Sequence, residues 1–349
     1  MDLRENISLW ERLKRTGKPV VLYGMGNGAD KILDELTRRG IKAAGVFASD
    51  GFCRGQVFRG FPVVNYEQAR ARFGQMVVLI AFGTQLPEVM DRIGRIAREQ
   101  ELYVPDVPVY GGGVFDMRYY GEHERELQQV YDMLADDPSR AVFRDMIDYK
   151  LSGKPEYLYR CESSPGEAYE TILKLGDDEC YVDAGAYTGD TVRDFLEAVD
   201  GYEKIFAIEP DAKNFARLRN ATEGIGGVTC LNVAAHEKEG ELLFAQRGGR
   251  NSAASGKGRA VPANSLDNLL AGQRVTYIKY DVEGEEEAAL KGTERIIREQ
   301  KPKLLVSAYH RNEDIFRIPL LVTALRPDYQ VYLRHFPCIP AWDTNYYFV

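Results

Sequence analysis

Paired cysteines are missing from this sequence. The five that occur, Cys53, Cys161, Cys180, Cys230 and Cys338, are odd in number and widely scattered, which excludes a CxxC zinc site and a disulfide-stapled scaffold and fits a reducing compartment. Positive excess is missing too. With a formal net charge of -8 and no clustered basic face, a nucleic-acid partner is not expected. Histidine is scarce, and no His-x-His or His-Asp cluster suggests zinc. The longest apolar runs, such as VVLIAF at 77–82, fall far short of the roughly 20 residues that span a bilayer. The opening stretch MDLRENISLWERLKRTGK is dense in charge and lacks the apolar core of a signal peptide. The expectation is a cytoplasmic protein acting on a small-molecule or glycan acceptor, without membrane attachment. Assembly into a homo-oligomer stays open.

What is present is enough apolar residue, 44% of 349, for about two packed domains. Over 19–110 short apolar runs alternate with helical patterns: PVVLYG, ADKILDELTRRG, AAGVFAS, YEQARARFG, MVVLIAF and LPEVMDRIGRIAREQ, the rhythm of βαβ units on a parallel sheet. From 119 to about 175 the strands stop and two amphipathic helices follow, the second capped by Ser139. The alternation then resumes from ECYVDAG to TNYYFV. The expected class is α/β, two Rossmann-like domains joined by a helical segment, with bounds 1–118, 119–175 and 176–349.

Two glycine loops compete for attention. Gly24-Met25-Gly26-Asn27-Gly28-Ala29 satisfies G-x-G-x-x-A between a strand and a helix, with Asp50 ending the next strand about where a ribose-binding acid belongs. That pattern supports an NAD-dependent sugar oxidoreductase, or a module for a nucleotide sugar or partner, since the segment resembles small Rossmann-like domains at the front of sugar-modifying enzymes. Against it, the glycines alone suffice for a tight turn, and no residue cluster in the first half nominates a hydride-transfer site.

The second loop, YVDAGAYTGDT at 181–191, has its glycines four apart and an acid before them. An acid at a strand end followed by a glycine bend suits a cationic amine and no pyrophosphate. Twenty residues past Gly189, the strand KIFAIEP ends in Glu209, placed to accept the hydroxyls of a ribose. A nucleoside bearing an amino acid is S-adenosylmethionine.

At this point the sequence resembles the FkbM-type family of class I methyltransferases, over roughly 130–349. The resemblance is carried by VDAGAYTGDT, AIEPD, NVAA, SLDNL, IKYDVEGEE with Leu290, Lys291 and Gly292, the strand LLVSAYH, and the terminal LRHF and WDTNYYFV. It implies a seven-stranded methyltransferase sheet, with Asp183, Gly185 and Gly189 holding the methionine part, Glu209 the ribose, and Asn232, Val233 and Ala234 approaching the adenine. Ala186, Tyr187, Thr188, Thr191, Pro210 and Asp281 complete the cofactor-side candidates. It also implies an O-methyltransferase acting on a sugar hydroxyl of a glycan, glycolipid precursor or glycosylated metabolite.

Methyl transfer to oxygen needs alignment and a base, and in an open α/β sheet the ligands lie beyond the carboxyl ends of the strands. That nominates Asp281 and Glu283 after TYIKY and His310 after LLVSAY as catalytic residues. A divalent metal on Asp281 and Glu283 is compatible with the residue types, but no spacing indicates one. Glu285, Glu286 and Glu287 read as a solvated first helical turn. The long polar stretch RGGRNSAASGKGRA offers Arg250, Asn251 and Ser252 to the acceptor.

Overall fold

The structure is a computed structural model, and it describes residues 1–164, 166–245, 253–254 and 259–349. The chain forms two compact units. The first gathers Met1–Tyr131, Arg140–Ser163 and His335–Asp343, and the second Asp132–Ser139, Ser164–Arg334 and Thr344–Val349. The helical segment at 119–175 is thus shared out between them.

In the first unit, β1 (Val20–Tyr23), β2 (Ala43–Phe47), β3 (Val57–Phe58), β4 (Phe61–Val64), β5 (Val77–Ile80) and β6 (Glu101–Tyr103) form one sheet in the order β3-β4-β2-β1-β5-β6. All four residues of β1 and of β5 are buried, as parallel strands covered on both faces must be. The helix Asn27–Arg38 lays Ala29, Ile32, Leu33 and Leu36 on this core. Asp50 does not close the second strand; β2 ends at Phe47 and Asp50 opens a 3-10 turn, Asp50–Phe52. The first glycine loop is packed tightly. Gly24 has φ +111°, and a Cβ there would stand 2.5 Å from the Phe82 ring, while one at Gly28 would stand 2.5 Å from the Ala81 carbonyl oxygen.

The expected Ser139 cap is corrected. Asp136 Oδ1 accepts the Ser139 N–H at 2.8 Å, and Ser139 Oγ instead accepts from Leu333 N at 3.0 Å and Arg334 Nη1 at 2.8 Å. The helix Asp137–Ser152 begins before Ser139, so Ser139 lies inside its first turn and supplies one of the free N–H groups that Asp136 satisfies.

The second unit carries β7 (Cys180–Ala184), β8 (Lys204–Ile208), β9 (Val228–Leu231), β10 (Ala234–Ala235), β11 (Gly240–Ala245), β12 (Ala253–Ala254), β13 (Arg259–Asn264), β14 (Tyr277–Tyr280), β15 (Lys303–Ser307), β16 (Val331–His335) and β17 (Thr344–Phe348). Seven of them form a sheet in the order β16-β17-β15-β14-β7-β8-β9, and β10-β13-β11-β12 form a smaller one. Strands β15, β14, β7, β8 and β9 run parallel, and β17 runs antiparallel to β15. The register pairs Tyr181 with Tyr277 and Asp183 with Lys279. On that face Tyr181 stacks on Tyr277 at 4.8 Å and on Phe195 of the helix Asp190–Ala198 at 4.4 Å. From β7 the chain passes to β8 on one side, whereas β14 joins on the other. The gap between the ends of β7 and β14 is the topological switch point, where such sheets bind ligands.

Candidate functional site

The loop after β7 is built on backbone contacts. Gly185 and Ala186 donate their N–H groups to the Ile208 carbonyl at 3.0 and 2.9 Å, and Gly189 N–H donates to Ala186 O at 2.8 Å. Gly185 sits at φ +94°, where a Cβ would be 1.9 Å from the Asp281 carbonyl oxygen. The backbones leaving β7 and β14 therefore touch, and only glycine permits it. Tyr187 adopts φ +47°, and its N–H donates to Glu209 Oε2 at 3.0 Å.

Beneath the loop lies a buried ion pair that the sequence reading missed. Lys279 Nζ stands 3.1 Å from Asp183 Oδ1 and donates to the Gly185 carbonyl at 3.4 Å. Thr191 donates its hydroxyl to Asp183 Oδ2. Asp183 is fully buried and Lys279 is 7% exposed. Burial works against the charge on Lys279, but Asp183 and then Asp281 more than reverse this and hold its pKa above the ordinary value. With both Asp183 oxygens engaged, this carboxylate fixes the loop from below.

Glu209 ends β8 and is 5% exposed. Its Oε1 accepts the Asp211 N–H at 2.8 Å and its Oε2 the Tyr187 N–H, yet burial pushes its pKa up to about 7. Asn232 Nδ2 donates to the carbonyls of Glu209 at 2.8 Å and Pro210 at 3.1 Å, bracing the strand ends together. Val233 and Ala234 are buried, and Ala234 pairs with Ala263 of the smaller sheet. Pro210, Asp211, Asn232, Arg259 and Val261 line a cavity of about 60 Å³.

Across the switch point, Asp281 N–H donates to Ala184 O at 3.0 Å, so β14 hands the Asp281 side chain to the loop. That side chain is 32% exposed. Burial raises its pKa, but Lys279, His310, Tyr309 and Ser307 outweigh this and hold it below the usual carboxylate range. Tyr309 donates its hydroxyl to Asp281 Oδ1 at 3.2 Å. His310 is 1% exposed. Its Nδ1 lies 3.0 Å from Glu286 Oε1, and its Nε2 lies 3.6 Å from both Asp281 Oδ1 and Glu283 Oε2. Burial alone would lower the imidazole pKa; Glu286, Asp281 and Glu283 instead raise it to about 10. The surrounding carboxylates thus favour the charged imidazole, and Asp281 Oδ1 is shared between Tyr309 and this ring. Glu283 adopts φ +58°, which turns the chain back so that its carboxylate meets the same imidazole.

The expected solvated turn of three acids is corrected at its middle member. Glu286 is fully buried, and its Oε1 accepts from Val282 N at 2.9 Å and Gly284 N at 3.3 Å. Only Glu287 matches the solvated reading, with an exposed pair to Lys291 at 2.7 Å. Glu285 is bound by Arg311 at 3.2 Å.

The structure thus gathers Asp183, Gly185, Ala186, Tyr187, Gly189, Thr191 and Glu209 around one loop, and Asp281, Glu283 and His310 around another. Arg250, Asn251 and Ser252 lie outside the described residues. Lys279 had a readable signal: a lone lysine inside YIKY, two positions before Asp281 and hence on its face of the strand. Among the described residues no helix is long and apolar enough to cross a membrane.

Residues 183–331 match the family model described as the Methyltransferase FkbM domain. Among solved structures, the methyltransferase FkbM of Methylobacillus flagellatus KT is similar over 97% of this chain and 92% of its own, at 23% identity and a TM-score of 0.72. An rRNA methylase from Streptococcus thermophilus aligns with 52% of this chain and 92% of its own at 15% identity and TM-score 0.35. The fibrillarin of Aeropyrum pernix, determined with natively bound S-adenosyl-L-methionine, aligns with 52% of this chain and 73% of its own at 11% identity and TM-score 0.35. No curated protein sequence matches the chain. Residues 183–331 are thus similar to the FkbM methyltransferase domain, and nearly the whole chain shares the fold of a methyltransferase FkbM.

Proposed function

We propose that the protein moves the methyl group of S-adenosylmethionine to a hydroxyl oxygen, that of a sugar in a glycan, glycolipid precursor or glycosylated metabolite, in the cytoplasm. The observation that carries oxygen as the acceptor is Asp281, partly exposed and held below the usual carboxylate range at the mouth of the cofactor loop. The hydroxyl oxygen attacks the methyl carbon in line as the carbon–sulfur bond breaks. The bonding pair goes to sulfur, leaving neutral S-adenosylhomocysteine, and the hydroxyl proton goes to Asp281. Alignment supplies much of the acceleration and the base the remainder. The sugar rests on the resemblance to the FkbM-type family.

In this reading Gly185, Ala186, Tyr187, Thr188 and Gly189 line the methionine part, with Asp183 and Thr191 holding the loop from beneath. Glu209 accepts the ribose hydroxyls, and Pro210 with Asn232, Val233 and Ala234 borders the adenine.

Calorimetry with S-adenosylhomocysteine, and with NAD on the same sample, tests the cofactor. Saturable binding of the first alone is expected, and binding of NAD alone would replace this reading with the oxidoreductase one. Methyl transfer from labelled donor to a panel of glycosides tests the acceptor. Asp281→Asn is expected to cut turnover by about 10²–10⁴-fold, the usual worth of a positioned proton acceptor, with cofactor affinity nearly preserved. Full turnover in this variant removes Asp281 as the base.

The ribose role of Glu209 has a pH signature. Ligand hydroxyls donate to its ionised form, so binding must expel a proton wherever the free carboxyl is protonated. With the free pKa at about 7, affinity for S-adenosylhomocysteine is full above that pH and weakens up to tenfold for each unit below it. Glu209→Gln is expected to cost about 1–3 kcal/mol of binding at pH 8 and to flatten the pH profile. An unchanged profile in the variant takes Glu209 out of the ribose site.

A further inference from the structure

The carboxylate of Glu286 does more than start a helix. It is fully buried at the first position of the helix Glu286–Lys291, and it turns back along the chain. Its Oε1 accepts from Val282 N at 2.9 Å and from Gly284 N at 3.3 Å, the two amides that flank Glu283. The same oxygen lies 3.0 Å from His310 Nδ1. Its Oε2 is buried with no hydrogen-bond partner, a cost that the start of so short a helix does not offset.

The turn held in this way is strained. Glu283 has φ +58° and Gly284 φ +93°, and a residue with a side chain stays in that region only where its surroundings enforce it. From the other side Arg311 donates to the Gly284 carbonyl at 2.6 Å and pairs with Glu285 at 3.2 Å. Glu286 and Arg311 thus clamp the turn between them. The imidazole is held by the same oxygen. With Nδ1 set against Glu286, Nε2 is aimed between Asp281 Oδ1 and Glu283 Oε2, 3.6 Å from each, since the partner of one ring nitrogen sets the direction of the other. At 3.6 Å these two contacts act through charge and not as hydrogen bonds. One carboxylate oxygen therefore governs both the backbone that carries Glu283 and the ring that Asp281 faces.

We propose that Glu286 is a positioning residue for methyl transfer: it holds the His310 ring and the turn through Glu283 so that Asp281 meets the acceptor hydroxyl in a fixed place. The inference deepens the methyl-transfer reading and rests on Asp281 as its proton acceptor. Glu286 itself, fully buried, acts through His310 and the turn.

The test joins a spectrum to a rate. The full chain, with its four histidines labelled at both ring nitrogens, is compared by nuclear magnetic resonance with the near-isosteric Glu286→Gln and with Glu287→Gln, its exposed neighbour. The His310 signals are assigned with His310→Gln. Glu286→Gln is expected to shift the His310 signals and to leave those of His123, His236 and His335 in place. With a glycoside that the parent methylates, the same variant is expected to lose about 10–100-fold in kcat, the usual effect of removing a group that supports a reacting one, with KM and affinity for S-adenosylhomocysteine unchanged. His310→Gln is expected to cost a similar factor, and Glu286→Gln/His310→Gln no more than the worse single variant, because one residue acts through the other. Glu287→Gln matches the parent throughout. Unshifted His310 signals, parent-like kcat in Glu286→Gln, or losses that multiply in the double variant overturn the positioning role. If circular dichroism shows Glu286→Gln unfolded, amide hydrogen exchange of the parent decides: slow exchange at Val282 and Gly284 supports the clamp, and rapid exchange at both overturns it. Calorimetry with S-adenosylhomocysteine on the same samples keeps the two readings apart. No binding by the parent overturns the methyl-transfer reading, while a selective His310 shift still establishes that Glu286 orients the ring. Binding without turnover on any glycoside overturns the sugar acceptor, and the ring signals then decide for Glu286.

Discussion

Lys279→Met is expected to destabilise the second unit by about 3–5 kcal/mol, the cost of removing one partner from a buried ion pair. Lys279 and Asp183 lie 3.1 Å apart on adjacent central strands, and both are buried. Without the ammonium, Asp183 keeps the Thr191 hydroxyl as donor but must either stay ionised with no counter-charge or take up a proton. Both routes cost free energy at neutral pH. The loss is not the net worth of the pair, because the folded state also bears the desolvation of two charges. Asp183→Asn/Lys279→Met removes both charges and leaves an amide that still accepts from Thr191, so it is expected to recover more than half of the loss. Urea unfolding followed by near-ultraviolet circular dichroism, with Tyr181 and Tyr277 stacked beside the pair, reads both variants. A single variant as stable as the parent, or a double variant no better than the single, would show that the pair carries no such strain.

Why this pair escaped the sequence reading is instructive. The alternation of apolar runs and amphipathic helices is a local signal, and it carried the α/β class and the strand-end positions of Asp281 and His310, whereas the seven-stranded sheet followed from the resemblance to the FkbM-type family. The partnership of Asp183 with Lys279 spans 96 residues and depends on the register of two parallel strands, which local periodicity does not specify. Glu286 illustrates a different failure. Acids in a first helical turn are usually solvated companions of the helix dipole, but here Val282, Gly284 and His310 surround one of the three, and a turn through Glu283 at positive φ sets which one. Ser139 went astray for the same reason. Its hydroxyl was claimed by Leu333 and Arg334, nearly two hundred residues away.

Gly185→Ala is expected to abolish methyl transfer and to weaken S-adenosylhomocysteine binding by at least 10–100-fold, equivalent to about 1.4–2.7 kcal/mol. Two costs combine. A side chain at φ +94° sits in a region that costs of order 1–3 kcal/mol, and its Cβ would lie 1.9 Å from the Asp281 carbonyl oxygen, an overlap neither backbone can absorb in place. The first cost is a general tax on positive φ; the second is specific to the switch point. Relief requires β7 and β14 to part at their carboxyl ends, which moves the loop that receives the cofactor and the strand end that aims Asp281 at the acceptor. Gly224→Ala separates the two costs, because Gly224 has φ +80° and nothing within 4 Å of its Cβ position. That variant is expected to lose about 1 kcal/mol of stability with cofactor affinity unchanged. Circular dichroism checks that both variants fold, and calorimetry with S-adenosylhomocysteine reads the difference. If Gly185→Ala bound the cofactor like the parent, the contact between the ends of β7 and β14 would be incidental to the site. If both variants lost binding alike, backbone strain alone would account for the effect. Selective loss at Gly185 means that the cofactor loop and Asp281 are set by one shared backbone contact, so the donor and the proton acceptor cannot be displaced independently.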